Sequence, residues 1–164
     1  MTAVVTALYR YPVKGLSADA LERVALAAGE ALPLDRAWAI ENGPSRFDPD
    51  APLASLEARF AEEESRLTLL RSGRQVASGR LTERIGRQVI EQFLAAYLSA
   101  SLRGPPRILS APGHTFSDIA EKRLHIINLR SVAEIERVTG REVDPLRFRP
   151  NVVIDGPATW SEAG

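Results

Sequence analysis

A chain of 164 residues is long enough for one sizeable domain or two small ones sharing a core, and its 45% hydrophobic and 26% charged content suits a folded protein rather than a disordered one. Its 21 basic and 21 acidic residues cancel, which argues against nucleic acid or anionic lipid as a partner and leaves only local clusters to bind anions. Cysteine is absent, and with it disulfides, zinc knuckles, iron–sulfur clusters and thiol nucleophiles; the two histidines, His114 and His125, seldom hold a metal alone.

In chain order, Met1 to Val5 lacks the basic region and cleavage site of a signal peptide and reads directly into a strand, Val4 to Tyr11, ended by Pro12 and Gly15. No apolar run approaches the roughly 20 residues that span a bilayer, so a cytoplasmic location is the default expectation. Glu22 to Ala27 alternates polar and apolar as a strand does, and Gly29 turns the chain. Asp35 to Glu41 is predicted as a strand, closed by the turn signal Asn42-Gly43. Pro44 to Pro52 is a proline-rich loop, and Leu53 to Phe60 is predicted as one or two helical turns. Leu67 to Leu70, Ser72-Gly73 and Gln75 to Ala77 predict a hairpin.

Val89, Ile90, Phe93, Leu94, Tyr97 and Leu98 fall on one face of a helix that Gly104-Pro105-Pro106 terminates. Short strands are expected at Arg107 to Leu109 and Leu124 to Asn128. A second helix carries punctuation at both ends: Ser131 and Glu134 fit a capping box, Val132, Ile135 and Val138 form its apolar stripe, and Gly140 stands at the C-cap. Val152 to Ile154 is a further strand and Asp155-Gly156-Pro157 a turn. Strands dominate, with two inserted helices, so the fold class is α+β and β-rich, a barrel or folded sheet. A boundary falls between Gly104 and Gly113. The ending Trp160-Ser161-Glu162-Ala163-Gly164 lacks a natural stop, and the chain is expected to be a fragment.

Among the charged residues, all basic ones except Lys14 and Lys122 are arginine. Arg147 and Arg149 alternate around Phe148, so an extended segment points both to one face, and Pro150 favours an extended Arg149. Two guanidiniums on one face suit a phosphate, which arginine grips with parallel hydrogen bonds. Spacing alone favours the structural alternative, ion pairs to Asp144 or Asp155. Lys14, between a proline bend and Gly15, either reaches into a cleft or is an exposed loop lysine. In Asp35-Arg36-Ala37-Trp38, core packing by Trp38, with Arg36 bound to Asp35 or a neighbouring carboxylate, is favoured over ligand binding. His114 reads as a loop residue capping or packing locally, with a proton shuttle as the alternative, and His125 as a core or sheet histidine. The run Glu62-Glu63-Glu64 reads as a solvated face.

Together, Tyr11-Pro12-Val13-Lys14-Gly15 and Gly29 followed by Leu34-Asp35-Arg36-Ala37-Trp38 resemble the N-terminal barrel attached to MOSC domains. Ile126-Ile127-Asn128-Leu129 and Asp144-Pro145-Leu146-Arg147-Phe148-Arg149-Pro150-Asn151 resemble the start of the MOSC domain, named for molybdenum cofactor sulfurases and shared by the mitochondrial amidoxime-reducing component. The resemblance implies a barrel-like N-terminal domain over residues 1–104 and an incomplete MOSC barrel with inserted helices over 105–164. It implies a molybdenum–molybdopterin cofactor held by Lys14, Arg36, Asn128, Ser131, Arg149 and Asn151, with Lys14 at the pterin–phosphate side, Arg36 and Arg149 on anionic groups, and Asn128 and Ser131 where the second helix begins. The two basic motifs become two sides of one anion pocket.

The family's metal-ligating cysteine would lie beyond Gly164, and Gly15 stands where the amidoxime-reducing enzymes carry a small hydroxyl residue. The segment from Pro52 to Leu56 is shorter than the family leads one to expect. The implied activity is that of an oxidoreductase or sulfur-transfer protein with a small-molecule substrate and a redox partner protein. No catalytic residue and no metal ligand is assigned within this chain. The alternative is a non-catalytic β-barrel module binding a small anion or a partner.

Overall fold

A computed structural model describes residues 2–43, 52–119 and 121–161. The predicted proline loop falls on residues 44–52, of which all but Pro52 lie outside the described set, as do residues 162–164. The element order is β1 (Val4–Arg10), β2 (Val13–Lys14), β3 (Asp19–Leu21), β4 (Trp38–Glu41), β5 (Glu57–Ala61), β6 (Arg66–Arg71), β7 (Arg74–Arg80), α1 (Arg84–Tyr97), β8 (Arg107–Ser110), β9 (Ile126–Asn128), α2 (Leu129–Thr139) and β10 (Val152–Asp155), with 3-10 turns at Pro52–Ser55 and Pro145–Phe148. The fold is α+β and β-rich. Its strands form three sheets, and among the described residues none closes into a barrel.

The chain divides into two compact units that interleave in sequence. The first comprises Met1–Arg10, Ala20–Pro33 and Glu121–Gly164; the second comprises Tyr11–Asp19 and Leu34–Ala120. This division does not coincide with a single cut near residue 104. The reason is a long-range pairing: β1 runs antiparallel to β10, with Val5 opposite Ile154 and Leu8 opposite Val152. The N-terminal strand therefore shares a sheet with the last strand of the chain.

In the first unit the sheet order is β3-β1-β10-β9, with β10 parallel to β9. Its core is small: Ile127, Val132 and Val153 are buried, flanked by Ala7, Tyr9, Leu129 and Val143. The expected stripe on α2 is only partly buried. Val132 is enclosed, but Val138 is 69% exposed. Residues 22–27, expected as a strand, are irregular and mostly exposed. Among the described residues no strand pairs with this segment, so its alternation has no sheet to sort it into faces.

The second unit holds sheets β2-β4-β8 and β5-β6-β7 together with α1. The predicted hairpin is present as β6 and β7. The long helix buries Ile90, Leu94 and, at its C-cap, Leu98 against Trp38, Phe60, Leu67 and Leu69. It ends at Tyr97, ahead of Gly104. Of the helical turns expected over residues 53–60, one is present as the 3-10 turn Pro52–Ser55; from Glu57 the pattern becomes period two, with Ala58 and Phe60 buried between exposed neighbours. α1 crosses β7 at Gly79 and Gly86. A Cβ on either glycine would meet backbone oxygen at 2.1 Å, which explains why glycine stands at both positions. No helix among the described residues is long and apolar enough to cross a membrane.

Candidate functional site

The second unit carries Lys14 and Arg36. The strand expected from Asp35 starts only at Trp38. Residues 33–36 instead form a turn, in which Leu34 and Arg36 take positive φ of 61° and 51°. Backbone bonds hold this turn: Arg36 N–H donates to the Tyr11 carbonyl at 2.7 Å, and the Arg36 carbonyl accepts from Phe116 N–H at 2.8 Å. Asp35 is buried and serves two partners. One carboxylate oxygen accepts from Tyr11 N–H at 2.8 Å, and the other pairs with the Arg36 guanidinium. That guanidinium also lies 5.0 Å from the centroid of the Tyr11 ring, a cation–π contact. The structural role for Asp35 and Trp38 is thus realised: Trp38 packs on Phe60 at 5.3 Å in the core. Lys14 is half-exposed, and its ammonium meets the carboxylate of Asp118 at 2.6 Å.

The first unit carries Asn128, Ser131, Arg149 and Asn151. The parallel register sets Val152 opposite Ile126 and Ile154 opposite Asn128. Arg149 and Asn151 therefore lie at the N-terminal end of this strand pair. Asn128 and Ser131 lie at its C-terminal end, about 10 Å away at roughly 3.3 Å per residue.

Asn128, rather than Ser131, is the N-cap of α2: its side-chain oxygen accepts from Arg130 N–H at 3.1 Å. Asparagine is as good a cap as serine, and it stands one residue before the helix begins. The Asn128 amide also donates to the carbonyls of Pro157 and Ala158. Ser131 sits inside the first turn, where its hydroxyl accepts from Trp160 N–H at 2.9 Å. The Gly140 C-cap is as expected, left-handed at φ 65°.

Asn151 is a clamp. Its side chain accepts from His125 N–H at 3.1 Å and donates to the Tyr9 carbonyl at 3.3 Å, tying β1 to the chain entering β9. His125 contributes backbone groups to this clamp, and its side chain is exposed rather than in the core.

Arg147 and Arg149 do not lie on an extended segment. Asp144 caps a 3-10 turn by accepting from Leu146 N–H at 2.9 Å, Pro145 takes the first position, and Arg149 closes the turn at φ 51°. The Asp-Pro pair is itself a start signal of this kind and outweighs the extended bias of a residue before proline. Of the two acids expected as partners, Asp144 caps this turn and Asp155 lies 3.5 Å from Arg130.

Two residues were not legible as site candidates. Asp118 is 104 positions from Lys14, and no local pattern links them. Tyr11 belongs to the first basic motif, but its ring contact with Arg36 depends on the turn at 33–36. No family model matches the chain, and neither a curated protein nor a solved structure does. Chemically, the second unit offers two cations, Lys14 and Arg36, each beside a carboxylate. Among the described residues no group of three or more His, Asp or Glu is placed to hold a metal ion.

Proposed function

We propose that this chain belongs to a MOSC-type molybdenum-cofactor protein, an oxidoreductase or sulfur-transfer protein in kind, and that its residues take the anionic pterin–phosphate end of the cofactor. One observation supports this reading most. The two arginines that the resemblance assigns to anionic groups, Arg36 and Arg149, both hold left-handed backbone at φ 51°. That conformation costs an arginine about 1–2 kcal/mol, and strain of this kind gathers at binding sites. The reading carries with it the family's architecture, of which the three open sheets would form parts of barrels.

The anionic end of the cofactor suits these cations. The metal end does not: molybdenum takes a thiolate, and the chain has no cysteine. No chemistry at the metal is therefore assigned to these residues. The second reading is a non-catalytic module that binds a small anion. Metal analysis after expression in a host that makes the cofactor tests the metal end: little or no bound molybdenum is expected, and stoichiometric metal would show that other ligands suffice and would remove the second reading. Inorganic phosphate tests what both readings share. It should raise the thermal midpoint of the wild-type chain, and Arg36→Ala and Arg149→Ala should each reduce that rise. An identical midpoint with and without phosphate would leave only a structural role.

A further inference from the structure

We infer that Asn42-Gly43 is a site of self-modification, at which the asparagine converts to aspartate or isoaspartate when residues 103–105 lift off it, and that the conversion releases those residues from the end of β4.

The chemistry follows from residue type. The chain has three asparagines, Asn42, Asn128 and Asn151, and only Asn42 precedes a glycine; Leu129 and Val152 follow the other two. The Gly43 backbone nitrogen can attack the side-chain amide carbon of Asn42. A bond forms between Gly43 N and Asn42 Cγ, the Cγ–Nδ2 bond breaks, and the side-chain nitrogen leaves as ammonia, which carries off the Gly43 amide proton. The product is a cyclic imide. Water then opens it at either carbonyl to give aspartate or isoaspartate, and no other reactant is consumed. A side chain on the following residue shields the attacking nitrogen, and glycine has none.

The fold restrains this step. Closing the ring requires rotation about the Asn42 Cα–carbonyl bond and a swing of the side chain towards Gly43 N. One segment of the second unit, between α1 and β8, opposes both. The Asn42 side-chain amide donates to the Pro105 carbonyl at 3.0 Å. Arg103 N–H donates to the Asn42 carbonyl at 3.1 Å, which fixes the peptide plane that carries the Gly43 nitrogen. The Arg103 guanidinium donates through Nε to the Gly43 carbonyl at 3.2 Å. Gly43 is itself buried, so solvent base has poor access to its amide. Asn42 holds left-handed backbone at φ 59°, which asparagine adopts more readily than most residues, so strain does not drive the reaction.

Conversion undoes the same contacts. Aspartate has no N–H to give the Pro105 carbonyl, and two acceptors then face each other. Isoaspartate also routes the backbone through the former side chain, so the carbonyl that Arg103 N–H holds leaves the main chain. The connection from α1 to β8 is thereby loosened, and hydrolysis makes the change irreversible.

The test incubates the full chain, folded and in denaturant, at one pH and temperature, and follows each asparagine by peptide mass spectrometry. In denaturant Asn42 should convert faster than Asn128 and Asn151. In the folded wild type Asn42 should convert at least roughly tenfold more slowly than in denaturant, because opening must first break these bonds. Arg103 is exposed, so Arg103→Ala should fold, and by removing one restraint it should speed the folded-state conversion roughly threefold to tenfold without changing the rate in denaturant. Asn42→Asp should exchange the Arg103 amide faster than wild type while Leu69, in the core of the unit, keeps its protection. Asn42 converting no faster than the other two asparagines in denaturant overturns the site. Equal rates in folded and denatured chains, or in folded wild type and Arg103→Ala, overturn the restraint by residues 103–105. Unchanged protection of the Arg103 amide in Asn42→Asp overturns the release.

Discussion

The two units use polar residues in opposite ways. In the second unit, Lys14 pairs with Asp118 and Arg36 with Asp35, and the unit has an apolar core that includes Leu67, Leu69, Leu81, Ile90 and Leu94. In the first unit the buried core is three residues among those described, and Asn128, Ser131 and Asn151 bond to backbone groups of other segments. A large core leaves charged side chains available for a ligand. A small one draws polar side chains into holding the fold. The difference matters for the proposed site, because substitutions at the first unit's polar positions will disturb structure and binding together, whereas those at Lys14 or Asp118 can be read as binding effects.

The strongest way to break this contrast is to attack each unit through what holds it. Leu94→Ala should cost about 3 kcal/mol in denaturant unfolding, as large-to-small changes at fully buried sites do. Hydrogen exchange should show the lost protection in the second unit. Asn151→Ala should cost about 2 kcal/mol, because it strips bonds from the Tyr9 carbonyl and the His125 amide. Its lost protection should appear at Ile127 and Val153. If Asn151→Ala were silent in stability, the polar clamp would not be what holds the first unit.

A smaller effect sharpens the reading of Arg149. Glycine adopts left-handed backbone without the steric penalty that alanine meets, so Arg149→Gly should be more stable than Arg149→Ala by about 1 kcal/mol, while both lose phosphate binding. Equal stability of the two variants would remove the strain argument.

The smallest expected effect is a control on α2. The Glu134 carboxyl is held below its ordinary value of 4.5 by a hydrogen bond from Arg137 and by the charge on Arg137. A lowered carboxyl stabilises the fold when ionised. Its contribution is complete above the ordinary value and disappears as pH falls through the lowered one. Wild type should therefore lose slightly more stability than Glu134→Gln as pH falls from above the ordinary value of 4.5 through the lowered one, measured by thermal unfolding. The pair is fully exposed, so the difference should be slight.

Much of the fold was legible where a local pattern sufficed. The β6–β7 hairpin has a Ser-Gly turn between β-forming runs, α1 has a continuous apolar stripe, and Gly140 ends α2. Misreadings arose where two local signals competed. Residues 57–61 have both helix formers and period-two burial, and only pairing with β6 decides between them. Ser131 and Asn128 both cap well, and the helix begins at the earlier of the two. Asp144-Pro145 starts a 3-10 turn although Arg149-Pro150 suggests extension.

The sequence by itself determined composition, charge balance, the absence of a thiolate, the hairpin, the long helix and the residues of the two basic motifs. Those properties follow from residue type or from neighbours a few positions apart. Only the tertiary structure decided that β1 pairs with β10, that Arg36 and Arg149 take left-handed backbone, that Asn151 clamps Tyr9 to His125, and that Asp118 reaches Lys14. Each of these depends on groups brought together across long stretches of chain or on a turn held by such groups, and no local pattern encodes which distant partner arrives.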